Sequence, residues 1–550
     1  MPLVSELASE AVRTLIDSYT AQVKTLITPV CNVKGYGAKG NGVNDDTTAV
    51  QAAIDAASVA GGGIVYVPSG TYLVSVAGML DGRNYGLMLK GNVTLMGAGS
   101  GLTTIKAANN SNMDVIINDR TIATSNIKLI GFKVDGNQAN QTSGKFNIWI
   151  KNCEHFVIDD VFSYNAGDWG FRFEKVTNLF GGILRAEHAA DLSADGVHLI
   201  DCSYVTIDKV IIKTLGDDGF IIEAKDSDSH DISIGEIFIT APVTTIAAGR
   251  GLLFLVDDSV TTVQRSIYNI DVSNVITCNC KQAALTLTSG KFYNLNISLS
   301  DYGSQSAANF VVGSSVLGAG YIKNSSFDIR SWNSQQNAVV MTIVNGTIEH
   351  NSLDLKAYNP GDGYVGASLM GSYWNANIQM DYNPNLNKVN PLHGIDIFAN
   401  YSEIHANVKG ANTSIFFRPG AVGNTIYLGR LQNAATRDIE FNVGANDNRI
   451  IGGEITGAVL NNGTGNKFIG VKGGDNYGYA SITPNATGNG TIPHGLKGAP
   501  SCVLVGIGGD HPYHVDVEAV DEINITVRIK DSSGADVTSG TYTIYWKAQL

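Results

Sequence analysis

Short runs of alternating apolar and polar residues, each closed by Asn, Asp or Gly, recur along most of the chain. Examples are NIKLIGFKVD at 126–135, FVIDDVF at 156–162, YVTIDKVII at 204–212, DISIGEIFI at 231–239, YNIDVSNV at 268–275 and YNLNISL at 293–299. Alternation with period two turns one side of each run toward a core and the other toward solvent. Repetition at roughly 20–30 residues without helical periods predicts stacked β-coils, with each coil about 4.8 Å from the last. This texture runs from about residue 90 to about 475 and predicts a parallel β-solenoid.

Two stretches depart from it. Val12, Ile16, Tyr19, Val23 and Leu26 step by four, three, four and three, which predicts a helix over 5–27 that Pro29 ends. Beyond 479, Ile523, Ile525, Val527 and Ile529, then Tyr542, Ile544 and Trp546, alternate cleanly and predict a small antiparallel β-sandwich. The domain reading is therefore an N-terminal helical segment (1–30), a β-solenoid (31–478, with a capping helix and first coils in 31–90) and a C-terminal sandwich (479–550). Trimerisation or carbohydrate binding is the expected role of the last.

The densest local text is NVKGYGAKGNGVNDDT at 32–47, followed by a helical stripe of Ala49, Val50, Ala53, Ile54 and Ala57 and by GGGIVYVPSGTY at 61–72. Asn44 or Asp45 suits the helix N-cap, which accounts for the acidic pair Asp45 and Asp46 better than chemistry does. Such a helix would cover the open end of a solenoid, whose first coil otherwise exposes unpaired backbone. This text resembles the opening of the pectate-lyase-superfamily β-helix proteins, a group that includes phage tailspikes and secreted polysaccharide-degrading enzymes. The resemblance implies an all-β fold, a right-handed parallel β-helix. It leaves the chemistry open, because the group holds hydrolases, lyases and binders.

Composition narrows the partners. The chain has 550 residues, 16% of them charged, 62 Gly and a formal charge of −13. An acidic chain without Lys/Arg runs is no nucleic-acid binder, and no apolar run reaches the length of a membrane span. Met1–Glu10 carries acidic residues where a secretion signal has a basic region and then an apolar core. Six cysteines are too sparse for a disulfide framework, and Cys278 and Cys280 lack further ligands at zinc spacing. No metal or cofactor is expected.

Phrases of one residue before glycine and a short apolar run set the coil register. They are Asp168-Trp169-Gly170, Ala194-Asp195-Gly196, Asp217-Asp218-Gly219 and Gly249-Arg250-Gly251, at steps of 26, 23 and 32 residues. The column before glycine reads Trp169, Asp195, Asp218, Arg250. Asp195 and Asp218 then lie on neighbouring coils about 5 Å apart, with Asp217 offset by one residue. Crowded carboxylates raise one another's proton affinity, and a protonated acid beside an ionised base is what glycoside hydrolysis needs. Trp169 suits a sugar-stacking platform. Asp168 and His198 are further binding candidates; Glu187, His188 and Glu223 are weaker ones. Asp160, Asp208 and Asp226 read as solvated turn residues.

The column also resembles the polygalacturonases and related family-28 glycoside hydrolases, which carry N-T-D, then D-D one coil on, then G-H-G and R-I-K. Ser193-Ala194-Asp195-Gly196 and Gly216-Asp217-Asp218-Gly219 stand where the first two fall. The resemblance implies Asp217 as general acid, with Asp195 and Asp218 holding and activating water. Arg250 stands where the family has His, and no R-I-K occurs around Lys281-Gln282-Ala283. In the family that element grips a uronate, so its loss argues against galacturonan, while Arg250 is left as a contact for an acidic sugar. Gly490–Leu496 and the terminus around Trp546 resemble C-terminal modules of phage tail proteins. The reading is a tailspike-like depolymerase, a homotrimer on a virion tail (alternatively secreted), which hydrolyses a bacterial surface or exopolysaccharide by an inverting mechanism. A polysaccharide lyase on the same fold and a non-catalytic glycan-binding tail protein are the alternatives.

Overall fold

The computed structural model describes residues 30–143, 145–187, 195–213, 217–240, 249–257, 263–313, 318–361, 363–382, 392–472, 475–496, 498–508 and 512–550. The helix expected over 5–27 lies outside them, as do His188, Ser193, Ala194 and Gly216. The fold is all-β, a right-handed parallel β-helix with very little helix. It divides into two compact units, the first ending at Ala248 and the second beginning at Gly249.

In the first unit, helix Thr47–Val59 buries Val50, Ala53, Ile54 and Ala57. Asp46, not Asn44 or Asp45, occupies the N-cap position; its carboxylate accepts from the backbone N–H groups of Lys39 and Gly40, while Asp45 accepts from Thr47 N–H. Both acids are thus consumed in holding the turn. Gln51 accepts from Met88 N–H at 2.9 Å and donates to Met88 C=O at 3.0 Å. Its amide takes the place of one rung of a neighbouring strand and satisfies backbone groups at strand Arg83–Leu89.

Strands Thr124–Asp135, Ile148–Tyr164, Phe171–Glu187, Ser203–Lys213 and Ser229–Thr240 follow, stacked in parallel. Ile127, Phe156, Leu179, Val205 and Ile232 form one inward column, all buried. The preceding residues, Asn126, His155, Asn178, Tyr204 and Asp231, all have φ between +53° and +57°. Each coil turns through a single left-handed residue at the same rung position, which is why Asn and Asp punctuate the sequence there.

The second unit continues the same architecture through strands such as Leu252–Val256, Ser266–Cys278, Lys291–Tyr302 and, near its end, Lys467–Ile469. Two three-stranded antiparallel sheets follow: Asp475–Ile482, Tyr542–Gln549 and Cys502–Ile507 in one, Asn489–Pro493, Asn524–Lys530 and His514–Val520 in the other. Ile525, Val527, Ile529 and Ile544 are buried as the alternation requires. Ile523 is not: it lies in the turn that Asp521 holds through the Ile523 and Asn524 N–H groups, and it is exposed.

Candidate active site

For the first three glycine phrases the register read from the sequence is the one observed. Phe171, Val197 and Phe220 share an inward column, so Trp169, Asp195 and Asp218 stand one rung apart in succession. Gly170 N–H donates to Asp195 C=O at 2.8 Å, and Gly196 N–H to Asp218 C=O at 3.1 Å. Glycine is required after Asp195 because a Cβ on Gly196 would fall 2.6 Å from Gly219 O. Backbone contact between coils at this point leaves the preceding residue to carry the chemistry.

Carboxylate oxygens of Asp195, Asp217 and Asp218 all lie within 4.8 Å of one another. Asp195 and Asp218 are buried; Asp217 is half-buried. Asp195 Oδ1 accepts from Asp218 N–H at 3.1 Å, and its Oδ2 meets His198 Nδ1 at 3.1 Å. His198 Nε2 meets Glu223 Oε2 at 2.8 Å. Both nitrogens of this buried ring are engaged, so His198 acts on Asp195 and Glu223 rather than offering a free nitrogen to a ligand.

Charge follows from this packing. Burial pushes the Asp195 carboxyl up, the neighbouring Asp218 adds to this, and the hydrogen bond from His198 opposes it. Burial acts to lower the His198 pKa, but hydrogen bonds to Asp195 and Glu223 outweigh it and the net shift is upward. The contacts with Asp195 and Glu223 thereby favour the protonated form of the imidazole. Asp168 is pushed up to about 6, first by burial and then by the charge of Asp195, against the pull of Arg83 and Arg172.

Trp169 is half-buried, its ring tilted on His198 at 4.3 Å with the Arg172 guanidinium 4.7 Å from its centroid. Arg172 also lies over Trp149 at 4.5 Å and pairs with Glu174, which Lys151 bridges in turn. Arg83 stacks on Phe146 and pairs with buried Asp114. Sequence reasoning missed this cation–aromatic group. One signal was available: Arg172 and His198 are rung partners three residues beyond Trp169 and Asp195, so the column after glycine needed the same reading as the column before it.

The remaining candidates fall elsewhere. Glu187 ends strand Phe171–Glu187, where its C=O accepts from Asn165. Asp160 holds Ser100 through two hydrogen bonds, and Asp226 pairs with Lys175. Arg250 is half-buried ahead of strand Leu252–Val256 of the second unit. Cys278 and Cys280 form no disulfide among the described residues. The Asp195–Asp217–Asp218 group has the donor atoms of a hard-cation site, although clustered carboxylates are equally what acid–base chemistry requires.

Residues 30–237 match the family model described as rhamnogalacturonase A/epimerase, pectate lyase-like, a segment that includes the carboxylate cluster. Mannuronan C5-epimerase AlgE4 of Azotobacter vinelandii is 47% identical over 122 residues, covering 22% of this chain and 22% of the epimerase. Alginate lyase 7 of the same organism is 38% identical over 148 residues, or 26% of this chain and 16% of the lyase. The matched stretches thus span under a quarter of either relative's length. Among solved structures, a tailspike protein of E. coli bacteriophage HK620 superimposes with a TM-score of 0.56 at 12% identity, covering 94% of this chain and 93% of that one. The family match over residues 30–237, the solenoid topology and the tailspike superposition agree on a pectate-lyase-like right-handed β-helix fold.

Proposed function

We propose that the chain hydrolyses a polysaccharide at the Asp195–Asp217–Asp218 cluster, as a tailspike-like depolymerase of a bacterial surface or exopolysaccharide. The observation that carries this reading is three carboxylates from two adjacent coils within 4.8 Å, next to a buried imidazole held between Asp195 and Glu223. Burial and the neighbouring Asp218 push the Asp195 carboxyl up, so the cluster holds a group of raised proton affinity. Asp217, the least buried of the three, is assigned the donation of a proton to the glycosidic oxygen. Asp195 and Asp218 hold the attacking water between them.

The trio is tighter than the roughly 6.5–9.5 Å at which inverting enzymes usually place acid and base. In this reading the water is therefore gripped by the Asp195–Asp218 pair, with no second carboxylate standing across the sugar from Asp217. Trp169 supplies a ring for the sugar face, and Asp168, its carboxyl pushed up to about 6, a hydrogen-bonding group beside it. The tailspike fold and the relatives' names support polysaccharide as the ligand class. A homotrimer on a phage tail is the setting this reading takes from the tailspike likeness.

A second reading, β-elimination at a uronate, is favoured by Arg172 between Trp149, Trp169 and Glu174, a cation placed to neutralise a sugar carboxylate. One experiment separates the readings. Wild type and Asp217→Asn are incubated with mannuronan and with purified bacterial capsular polysaccharides. Hydrolysis releases reducing ends without an unsaturated product and fails in Asp217→Asn. Elimination yields an ultraviolet-absorbing unsaturated sugar. Equal release of reducing ends by both chains would falsify the acid assignment. Binding without release from any polymer would make the chain a glycan-binding tail protein.

A further inference from the structure

A second polar cleft lies wholly within the second unit, on strands Asn375–Asp381, Glu403–Lys409 and Thr425–Gln432. It measures about 310 Å³ and adjoins a cleft of about 460 Å³ through the shared residue Asn407. A β-bulge shapes it. Ala406 pairs with Leu428 and Val408 with Leu431, so Gly429 and Arg430 together face Asn407. Asn407 Oδ1 accepts from Arg430 N–H at 3.0 Å. A Cβ at Gly429 would lie 2.0 Å from that same Oδ1, so only glycine lets the bulge close. Bulges re-aim side chains, and this one turns the Arg430 side chain into the open.

Part of the hydrogen-bonding capacity of this cleft is unspent: Asn407 Oδ1 is engaged and Lys409 pairs with Asp381 at 3.3 Å, but other amides are not. Elsewhere in the same unit, stacked asparagines use their amides fully: Asn424 donates to Ala399 C=O and Asn448, Asn448 to Ala421 C=O and Asn466, and Asn466 to Ala445 C=O and Asn461. In the cleft, the side-chain amides of Gln379 and Gln432 make no hydrogen bond among the described residues. Arg430 has no carboxylate within 4 Å among them either; Glu454 on the next coil is taken by Lys472 at 2.7 Å. Glu454 still attracts Arg430 from the next coil, but among the described residues no carboxylate closes on the guanidinium. At the adjoining end, the rings of His405 and Tyr427 stack at 4.7 Å and 16°.

Side-chain amides pair with vicinal hydroxyls, a guanidinium pairs with a carboxylate or another acid group, and a ring pair offers an apolar edge. We propose that this cleft is a glycan-binding site that takes a segment of acidic polysaccharide, with its acid group on Arg430 and its hydroxyls on Gln379, Asn407 and Gln432. The proposal rests on the reading that polysaccharide is the chain's ligand, and adds a holding site separate from the Asp195 cluster. Charge complementarity favours an anionic glycan over a neutral one.

The test is affinity electrophoresis of the 550-residue chain carrying Asp217→Asn, in gels containing mannuronan or purified capsular polysaccharides, so that binding is read without turnover. At least one polymer should retard this chain. Arg430→Ala should weaken that binding about tenfold, as loss of one charge-assisted hydrogen bond implies, with Arg430→Lys recovering part of it. Gln379→Ala combined with Gln432→Ala should weaken it by roughly the same factor through two neutral hydrogen bonds. Both sets are surface substitutions, so a folding defect in one leaves the other informative. Retardation unchanged in both sets, or no retardation by any polymer, overturns the proposal. Release of reducing ends by the wild-type chain judges the hydrolytic reading separately: the cleft variants can lose retention where no hydrolysis occurs, and can keep it where hydrolysis is found.

Discussion

The same three-residue step joins an aspartate and a histidine twice, once in each unit, in opposite order. In the first unit Asp195 meets His198 Nδ1 at 3.1 Å, and in the second His393 Nδ1 meets Asp396 Oδ1 at 2.5 Å. Each pair flanks a glycine, and each imidazole lies 4.3 Å from an aromatic ring, Trp169 or Phe416. What differs is the charge around them. Asp396 also accepts two hydrogen bonds from the Arg418 guanidinium, so one carboxylate is shared by two donors. His198 instead lies between Asp195 and Glu223, with Asp217 and Asp218 crowding the Asp195 side. The second pair is neutralised and closed. The first gathers four acids around one imidazole, and clustered acids of this kind are candidates for chemistry.

The largest expected effect tests that contrast directly. Asp195→Asn and Asp217→Asn each should lower turnover by roughly 10²–10⁴-fold, the usual contribution of a positioned acid or base. Asp396→Asn should leave turnover within about twofold, since general-acid or base assistance is not invoked there. Initial rates of reducing-end release measure all three. Comparable losses for Asp396→Asn would erase the distinction between the two regions.

Stability should invert the ranking. Asp396→Ala strands the Arg418 guanidinium and should destabilise the chain by about 3 kcal/mol, the low end for breaking a buried pair because Arg418 keeps 31% of its side-chain exposure. Asp217→Asn removes like-charge crowding and should hold or raise the denaturation midpoint, in the way functional sites commonly trade stability for chemistry. Thermal scans at fixed rate compare the two. A larger drop for Asp217→Asn would mean that the trio is structural.

The pH dependence sharpens the comparison further. Asp168 has a folded pKa of about 6, above the ordinary carboxylate value, so the folded state holds its proton more tightly than the unfolded chain does. Its contribution to stability is complete below the ordinary carboxylate range and is lost as pH rises through about 6. His198, also shifted upward, contributes in the same sense: fully below its unfolded value, and lost as pH climbs through its higher folded value. The denaturation midpoint should therefore fall between pH 4 and pH 6 through Asp168, and Asp168→Asn should flatten that segment. A wild-type profile that rises across the segment contradicts the placement of Asp168 beside Asp195.

Much of this was legible in the sequence. Period-two runs and Asn/Asp punctuation sufficed for the solenoid, because each coil needs one left-handed residue at a fixed rung, as at Asn126, Asn178 and Asp231. The Asp195–Asp218 register was legible because Gly196 is sterically obligatory and marks the rung. The imidazole bridge to Glu223 and the Arg172–Trp169 contact were not. Each depends on side-chain directions across rungs two to four residues beyond the glycine, where Arg172 pairs with His198 and Ile200 with Glu223, and periodicity alone gives no sign of which side chains lean together. The Asp45–Asp46 pair was correctly read as turn chemistry, but the cap moved by one residue because Thr47 begins the helix. Ile523 continued an alternation that the turn at Asp521 had already broken.

The smallest expected effect concerns the two rings. Arg172 lies 4.7 Å from the Trp169 centroid, and Arg418 lies 4.5 Å from that of Phe416, so both regions stack a guanidinium, a ring and an imidazole. Phe416 is 7% exposed and serves packing, whereas Trp169 is half-buried and leaves surface for a sugar. Trp169→Ala should raise KM about two- to fivefold with kcat nearly unchanged, the size of one ring contact of about 0.5–1 kcal/mol. Trp169→Phe should recover most of it, since an apolar face remains. Phe416→Ala should move the denaturation midpoint and leave KM alone. If Trp169→Ala instead lowers kcat and leaves KM fixed, the ring serves to position His198 and through it Asp195. The stack would then belong to the acid–base apparatus, and the sugar platform would have to be sought on the half-buried Trp149.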